Sequence, residues 1–372
     1  MRILILDTVY EGYVQWLYGS DPDLLNKPYA EQHEATIKGG FHTAAVWAEP
    51  LRQLGHDVID IWGNHAPLQI RWCQENSHEE ILRMNANSFQ IAGMTLSSSN
   101  PNPWYESIIE KQIEAYCPDI IWIANVNTFA TPFLEKVKTL YRMAIGEITS
   151  AIPNVDLSGF DFMISGAMSL VEELRSKEIT AELLLHGFRD NILGELSPAK
   201  KEHGLVFVGQ LFDGRVELIE ALGRNVGIEV WANSPWKEEQ LPSMGIEVHP
   251  PVFGVPMYQI LRNSKIILNK HIYAVKNFAS NQRLFEVTGV GSMILTDAAI
   301  NLEELFKPGE EIVAYSDIDE CVTLAKQYLN DDKTRESIAK AGCRRTLRDH
   351  TVSQRVLDIK AIIDQHCSPI LP

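Results

Sequence analysis

Cysteine is scarce in this sequence and never closely spaced. The five cysteines form no Cys-x-x-Cys pair; they are Cys73, Cys117, Cys321, Cys343 and Cys367. An odd number at wide spacing argues against a disulfide framework and against a thiolate zinc site. The pattern favours a reducing compartment, so we expect the protein in the cytoplasm.

Positive charge and long apolar runs are also in short supply. Lys plus Arg number 33 against 49 Asp plus Glu, a net charge of −16. Such a chain repels nucleic acid and anionic lipid. No apolar run approaches the ~18–20 residues of a membrane helix, and the N-terminal run stops at Asp7, too short for a signal peptide. We predict no nucleic-acid partner and no transmembrane segment.

Several nucleotide- and metal-binding motifs are missing. There is no Gly-x-x-x-x-Gly-Lys-Ser/Thr, which excludes a P-loop nucleotidase. Gly289-Val-Gly291 precedes a predicted strand and lacks the third glycine of a dinucleotide fingerprint. No His-Glu-x-x-His occurs, and the eleven histidines are dispersed. The sequence therefore predicts no metal site and no bound cofactor.

Short apolar runs alternate with longer helical patterns, which is typical of an α/β fold with parallel sheets. A length of 372 residues predicts about two domains. Predicted strands are 3–6, 58–61, 120–124, 143–148, 162–164 and 183–185, then 205–208, 228–231, 266–268 and 293–295. Predicted helices include 41–54, 215–225, 282–288, 334–345 and 352–363. A strand–loop–helix–strand plan occurs twice, ending once at Trp62 and once at Trp231, and predicts two Rossmann-like domains. We expect the break within 187–201, where Gly, Pro, Asn and charge replace the apolar pattern.

One window of the acidic chain contains no acid. Between Glu247 and Glu286 lie 38 residues without Asp or Glu, where the overall acid content would place about five. The window contains five cations, namely Arg262, Lys265, Lys270, Lys276 and Arg283. A pocket for a polyanionic small molecule explains this excess; a solvated basic face is the alternative.

The predicted helix that starts at Gln282 favours the interpretation that the window forms a pocket for an anion. Arg283 lies in its first turn, where the helix dipole disfavours a cation by a few tenths of a kcal/mol. A bound phosphate reverses that cost, since the amide hydrogens and the guanidinium both donate to it. Without ligand, we expect Arg283→Ala to stabilise the protein slightly. Glu286, three residues on, shares the face of Arg283 and suits the hydroxyls of a ribose.

These residues are part of a longer resemblance. The run Asn-Gln-Arg-Leu-Phe-Glu at 281–286, with Leu-Phe-Lys-Pro-Gly-Glu at 305–310, resembles the donor-binding half of GT-B glycosyltransferases, closest to the spore-maturation (CgeB-like) branch. Leu-Asn-Lys-His at 268–271 resembles a strand end of that branch, and 208–215 the diphosphate loop of the superfamily. Gly39 and Gly40 resemble its N-terminal glycine loop. The implied fold is α/β, with two Rossmann-like domains facing each other across a cleft.

The resemblance implies residue roles. Glu286 matches the ribose-binding glutamate, and Arg215 the basic residue on the donor diphosphate. The full implied donor-binding set is Gly209, Arg215, Asn269, Lys270, Asn281, Arg283 and Glu286. The sequence departs from the pattern at Phe278, where a second glutamate often lies, at Gln210, where an arginine often lies, and at Arg215, which is often lysine. The resemblance also implies an acceptor-side domain at 1–190, a donor-binding domain at 200–349, and a C-terminal helix within 350–372 that returns to the first domain.

The implied reaction moves a sugar, of hexose type, from a nucleoside diphosphate to the hydroxyl of a carbohydrate or small-molecule acceptor. It serves polysaccharide or glycoconjugate biosynthesis and needs no metal. Arg215 and Arg283 would stabilise the departing diphosphate. Asp7, Glu11 and His42 are the possible general bases on the acceptor side. His271 is the third catalytic candidate, beside Asp7 and His42, because it follows a strand and can reach phosphate or sugar.

Three alternatives remain from the sequence. A nucleotide-sugar epimerase of the same fold would act without an acceptor. A non-catalytic two-domain protein would close on an anionic ligand without turnover. A degenerate structural homologue, suggested by Phe278 and Gln210, would not bind nucleoside diphosphate.

Overall fold

The computed structural model describes residues 1–40, 44–84, 103–212 and 214–367. The chain divides into two compact units. The first contains Met1–Ser165 and Val171–Glu182, and the second contains Gly166–Leu170 and Leu183–Pro372. The last helix is thus grouped with the second unit. The predicted domain bounds, with the return of that helix to the first domain, stay predictions.

The first unit is built on a parallel sheet of six strands. They are β1 (Arg2–Asp7), β2 (Asp57–Trp62), β3 (Ile120–Ile123), β4 (Met143–Glu147), β5 (Phe162–Ser165) and β6 (Ala181–Leu183), in the order β2-β1-β3-β4-β5-β6. Helices precede or connect them: α1 (Glu11–Ser20), α2 (Tyr29–Lys38), α3 (Ala48–Gln53), α4 (Ala66–Glu75), α5 (Glu79–Met84), α6 (Pro103–Tyr116), α7 (Thr131–Lys136) and α8 (Met168–Ser176). Short 3-10 helices cover Pro22–Asn26, Ala44–Trp47 and Lys138–Leu140.

The second unit repeats the plan with six more strands. They are β7 (His203–Val208), β8 (Ile228–Trp231), β9 (Ile246–His249), β10 (Ser264–Leu268), β11 (Met293–Asp297) and β12 (Val313–Tyr315), in the order β12-β11-β10-β7-β8-β9. Its helices are α9 (Arg215–Val226), α10 (Leu241–Met244), α11 (Gly254–Asn263), α12 (Gln282–Gly289), α13 (Leu302–Leu305), α14 (Ile318–Asn330), α15 (Asp332–Asp349) and α16 (Val352–Cys367). Short 3-10 helices cover Asp190–Glu195, Glu238–Gln240 and Tyr273–Val275.

The central strand β7 shows why apolar runs predicted the strands well. Leu205 and Phe207 pack into the core on one face of the sheet, and Val206 and Val208 into the core on the other. Strands of a parallel sheet are covered on both faces and therefore read as continuous apolar runs. Each such side chain stabilises the fold by about 1.5–3 kcal/mol on full burial.

The predicted α/β class with two Rossmann-like parallel sheets is confirmed. Three local predictions were wrong. The strand predicted at 183–185 lies at Ala181–Leu183, and the edge strands β9 and β12 were missed. β9 has only four residues and β12 only three, so their patterns are weak. The helix predicted at 41–54 is a 3-10 turn followed by α3, with 41–43 outside the described residues.

Within the described ranges, none of the helices combines the length and apolar character that crossing a membrane requires.

Candidate functional site

Two arginines converge on the loop that follows β7. Arg215 Nη1 donates to the carbonyl of Gln210 at 3.0 Å, and Arg283 Nη2 donates to the carbonyl of Val208 at 3.3 Å. Between these carbonyls lies Gly209, whose φ of +152° disfavours any side chain. The loop lies at the carboxyl end of a central strand, where α/β sheets bind ligands.

Arg215 is buried at the start of α9. Its second guanidinium nitrogen donates to the carbonyl of Lys270 at 2.8 Å, which joins the ends of β7 and β10. The guanidinium lies 4.2 Å from the centre of the Phe212 ring, a cation–π contact. These contacts hold the cation in a fixed orientation beside the loop.

Arg283 and Glu286 form an ion pair. Arg283 Nη1 lies 2.6 Å from Glu286 Oε2, and the Tyr258 hydroxyl donates to Glu286 Oε1 at 2.9 Å. Glu286 is only 4% exposed. Burial, together with the charge of Glu286, raises the pKa of Tyr258 well above its ordinary value. The predicted shared face is confirmed, but the pair reverses the expected stability effect, because removing Arg283 leaves a buried carboxylate without its cation.

The first turn of α12 has no side-chain cap. The side chain of its N-cap residue, Asn281, accepts no hydrogen bond from the helix. Instead Asn281 Nδ2 donates to Asn269 Oδ1 at 2.6 Å, and Asn269 Nδ2 donates to Thr296 Oγ1 at 2.9 Å. This pairing ties the end of β10 to the helix start and leaves the helix amide hydrogens for another acceptor, such as an anion.

Lys270 and His271 both lie beside Asp297 at the end of β11. Lys270 Nζ is 3.9 Å from Asp297 Oδ2, and the His271 backbone N–H donates to Asp297 Oδ1 at 2.9 Å. The His271 ring is buried, with Nε2 3.4 Å from Thr296 Oγ1. Burial lowers the pKa of His271, and the cations of Arg215 and Lys270 lower it further against the opposing effect of Asp297. The imidazole is therefore mainly neutral near pH 7.

A pocket of about 320 Å³ opens at the carboxyl ends of β10, β11 and β12. Its lining includes Gly214, Lys270, His271, Tyr273, Asp297 and Asp317. Tyr273 is 63% exposed, and its ring centre lies 5.4 Å from Lys270 Nζ. Carboxylates beside an aromatic ring provide hydrogen-bond acceptors and an apolar face in one place.

In the first unit, Asp7 ends β1 as predicted. Its oxygens accept hydrogen bonds from the backbone N–H groups of Thr8 at 2.7 Å and Ala44 at 2.8 Å. Burial raises the pKa of Asp7 to about 6, against the lowering effect of those hydrogen bonds. Glu147, at the end of β4, has its pKa raised to about 8 by burial and by the charge of Asp7. This unit thus contains two acids whose pKa values are raised.

The remaining predicted residues of the first unit divide into two groups. His42 lies outside the described residues. Gly39 and Gly40 end α2; a β-carbon at Gly39 would overlap the Tyr13 hydroxyl, and Gly40 has a φ of +79°. Tyr13 is fully buried and donates to the carbonyl of Thr36 at 2.7 Å. Local packing and backbone conformation explain why these two positions are glycine. Their role in acceptor binding stays a prediction.

Sequence reasoning missed Tyr258, Asp297 and Glu147. Asp297 lies two residues after the apolar run 293–295, at the end of the strand, so the rule that ligands bind at strand ends would have identified it. Glu147 lies at the end of another predicted strand. Tyr258 lies 28 residues before Glu286, and no local pattern connects them.

Residues 215–361 match a sequence family described as glycosyl transferase-like. A comparison with curated proteins gives no match. Among solved structures, Anabaena Alr3699/HepE in complex with UDP-glucose is 10% identical, with a TM-score of 0.61 over 98% of this chain and 100% of that chain. Sucrose-phosphate synthase from Thermosynechococcus elongatus is also 10% identical, with a TM-score of 0.61 over 99% and 100%. A glycosyltransferase from Rickettsia africae is 12% identical, with a TM-score of 0.59 over 98% of both chains.

The structural similarity confirms the predicted GT-B fold across nearly the whole chain. The family match covers α9 to α16 and so includes both arginines of the β7 loop. The match relates this part of the chain to glycosyl transferase-like proteins.

Proposed function

We propose that the protein transfers a hexose from a nucleoside diphosphate sugar to an acceptor hydroxyl without a metal ion. The observation that carries the proposal is the convergence of Arg215 and Arg283 on the carbonyls of the β7 loop. Two guanidinium groups held at one strand end suit a diphosphate, since each can donate in pairs to phosphate oxygens. The family match over residues 215–361 supports the same reading.

The bond from sugar to diphosphate breaks as negative charge develops on the leaving diphosphate. Arg215, Arg283 and the amide hydrogens at the start of α12 would stabilise that charge. Fixed donors cost no reorganisation during the reaction, and one such donor contributes roughly 3–4 kcal/mol in comparable sites. In this proposal, the arginines supply the positive charge, so no divalent cation is required.

Glu286 is proposed to accept the ribose hydroxyls. Both of its oxygens already accept hydrogen bonds, from Tyr258 and Arg283. Each carboxylate oxygen has two lone pairs, so a hydroxyl group can join without breaking either bond. Arg283 would then orient the ribose contact as well as touching the diphosphate. Lys270 and His271 line the neighbouring pocket, where we place the sugar.

On the acceptor side we propose Asp7 as the general base. A pKa of about 6 keeps Asp7 mainly ionised at pH 7 while making it a stronger base than an ordinary aspartate. The two backbone N–H donors fix its orientation. His42, with Gly39 and Gly40, stays a predicted part of the acceptor region.

The finer assignments are also proposals. The motifs at 281–286 and 305–310 support the spore-maturation (CgeB-like) branch and a role in polysaccharide or glycoconjugate biosynthesis. The unpaired cysteine pattern supports a cytoplasmic location.

The first experiment is a thermal-shift panel with UDP, ADP and GDP in EDTA. At least one nucleotide should raise the melting temperature, because a ligand that binds only the folded state stabilises it. Arg215→Ala should remove the shift. Lys307→Ala, an exposed lysine of the same unit, should retain it. A shift that requires manganese or magnesium would contradict the metal-free proposal.

The second experiment follows the fate of the matching nucleotide sugar with an acceptor mixture. Transfer predicts nucleotide release that depends on the acceptor. An altered sugar without an acceptor would indicate an epimerase, and binding without turnover would indicate a binding protein. No nucleotide binding at all would indicate a degenerate homologue.

A further inference from the structure

Acidic and imidazole side chains gather at the edge of the second sheet, on β8 and β9. Glu229 of β8 lies in register with Glu247 of β9, and Trp231 with His249. These four residues alternate with Ile228, Val230 and Ile246, which point into the core on the opposite face. The two glutamates and the histidine therefore lie on one face of the sheet.

The ligand atoms of these side chains are close together. His249 Nε2 lies 3.4 Å from Glu247 Oε1 and 3.9 Å from Glu229 Oε2. All three groups offer atoms within 4.8 Å of one another, a cluster found once among the described residues. Two ligand atoms on one tetrahedral zinc ion, each about 2.1 Å from it, lie about 3.4 Å apart. The observed spacing thus fits one shared cation after small side-chain adjustments.

Two further observations point to a ligand rather than to a plain charge cluster. His249 Nε2 is shielded from solvent, yet makes no hydrogen bond to any residue that the structure describes. The His249 ring is stacked on Trp231, with centres 4.2 Å apart, which fixes the direction of that nitrogen. In addition, two carboxylates held side by side in register repel each other unless a cation lies between them.

We propose that Glu229, Glu247 and His249 bind one divalent transition-metal ion, with zinc as the best match. Imidazole nitrogens and carboxylate oxygens are both zinc ligands, and three protein ligands leave a position for water. His203 is the positioning residue. Its Nδ1 lies 2.7 Å from Glu229 Oε2 and holds that carboxylate toward the cluster, as outer partners of metal ligands do.

The bound ion would tie the edge strand β9 to β8. The proposal does not rest on the glycosyltransferase assignment, since none of its residues belongs to the donor-binding set. The site has no recognisable sequence motif, because Glu229 lies 18 residues before Glu247 and 20 before His249, on a different strand.

The test is a zinc titration of tag-free protein that has been dialysed against EDTA, read by calorimetry and by melting temperature. We expect one ion per chain and a higher melting temperature with zinc. Glu247→Gln and His249→Ala should each weaken zinc binding at least tenfold. Glu247 is 70% exposed, so the Glu247→Gln variant should fold normally. His203→Ala should weaken binding about 10- to 100-fold.

His78→Ala is the matched control. His78 Nδ1 lies 3.3 Å from Glu80, a similar contact without a third ligand. This variant should bind zinc as tightly as the parent. No saturable binding in the parent, or equal binding in the parent, Glu247→Gln and His249→Ala, overturns the metal site. The nucleotide shift in EDTA tests the donor site separately, so either proposal can fail while the other holds.

Discussion

Glu286 in the second unit and two acids at strand ends of the first unit, Asp7 and Glu147, have different partners. Asp60 of the first unit resembles Glu286, since the Arg52 guanidinium lies 3.2 Å from it. In the second unit, the buried carboxylate of Glu286 has a cation at 2.6 Å and a hydroxyl donor at 2.9 Å. In the first unit, burial raises the pKa of Glu147 and the charge of Asp7 raises it further, while burial and the charge of Asp60 raise the pKa of Asp7. The donors of Asp7 are backbone N–H groups, and that of Glu147 is the Trp122 indole.

This difference separates two kinds of chemistry. A carboxylate with a cation beside it stays ionised and orients that cation, which suits the binding of an anionic leaving group. Acids with raised pKa values keep or exchange protons near neutral pH, which suits proton transfer. If the proposed function is right, we expect the diphosphate to bind to the second unit and the acceptor proton to pass to the first. Four variants test that division.

The largest effect is expected for Arg283→Ala. It removes a donor to the diphosphate, so turnover should fall about 100- to 1,000-fold. It also leaves Glu286 buried without its cation, which should lower the free energy of unfolding by about 3 kcal/mol. Turnover and urea unfolding should be measured on the same preparation.

Two comparisons sharpen that result. Arg283→Ala combined with Glu286→Leu should recover stability but not activity, because the pair is removed as a whole. Lys307→Ala should change neither quantity. Full specific activity of the Arg283→Ala enzyme would contradict the hypothesis of an anion site in the second unit.

The next effect is expected for Glu286→Ala. The ribose loses charge-assisted hydrogen bonds of about 1.5–3 kcal/mol each, so the affinity for nucleoside diphosphate should fall by tenfold or more. Pyrophosphate affinity should stay the same or rise, because Arg283 loses its competing carboxylate. Calorimetry with both ligands provides the comparison. Equal loss of both affinities would assign Glu286 to the support of Arg283 alone.

A smaller effect is expected for Glu147→Gln in the first unit, on the dependence of stability on pH. The pKa of Glu147 is about 8 in the folded protein and near 4.5 when unfolded, so the folded state binds more protons between those values. The contribution of Glu147 to stability should therefore fall as pH rises from about 4.5 to 8. Asp7 acts in the same direction between about 4 and 6. Glu147→Gln keeps an acceptor for Trp122 and should flatten the upper part of this dependence.

Unfolding at pH 5, 6.5 and 8 provides the measurement. Buried histidines such as His65, His186 and His350, whose pKa values burial lowers, act in the opposite direction below about pH 6.5, so the test is the difference between the parent and Glu147→Gln. A pKa difference of one unit corresponds to about 1.4 kcal/mol, so the stability of the parent relative to Glu147→Gln should fall measurably between pH 5 and pH 8. Glu303→Gln, an exposed glutamate of the second unit, should leave the slope unchanged. If Glu147→Gln does not alter the dependence of stability on pH, the raised pKa of Glu147 is contradicted.

The same two regions show what could be predicted from the sequence. Interior strands such as β3, β7 and β10 were predicted because both faces are covered and the runs are wholly apolar. The edge strands β9 and β12 have three or four residues and one partner each, too little for a pattern. Strand-end reasoning predicted that Lys270 and His271 lie at the carboxyl end of the sheet, where they line a pocket, because that rule depends only on order along the chain. Their binding of a ligand stays a prediction.

Contacts that depend on packing could not be predicted from the sequence. Arg283 and Glu286 are three residues apart, so helical spacing predicted their shared face. The sequence did not indicate that Glu286 is buried, and burial changes the effect of Arg283 on stability from unfavourable to favourable. The Tyr258 contact joins α11 to α12, and the coupling of Asp7 with Glu147 joins two strands far apart in sequence. Only the folded chain shows these pairs.

The smallest effect is expected for Tyr258→Phe, which tests whether Glu286 is held from both sides. The change removes one hydroxyl and keeps the ring that packs in the core. Losing a hydrogen bond to a charged acceptor costs about 1.5–3 kcal/mol, reduced here because Arg283 still neutralises the carboxylate. The Michaelis constant for the nucleotide sugar should rise a few-fold while turnover changes little, because the diphosphate donors stay in place. Tyr18→Phe, which removes a buried hydroxyl bonded to Gln32 Oε1 in the first unit, is the matched control and should leave the Michaelis constant unaltered. If Tyr258→Phe lowers turnover as strongly as Arg283→Ala does, Glu286 acts on the departing diphosphate through Arg283 rather than on the ribose.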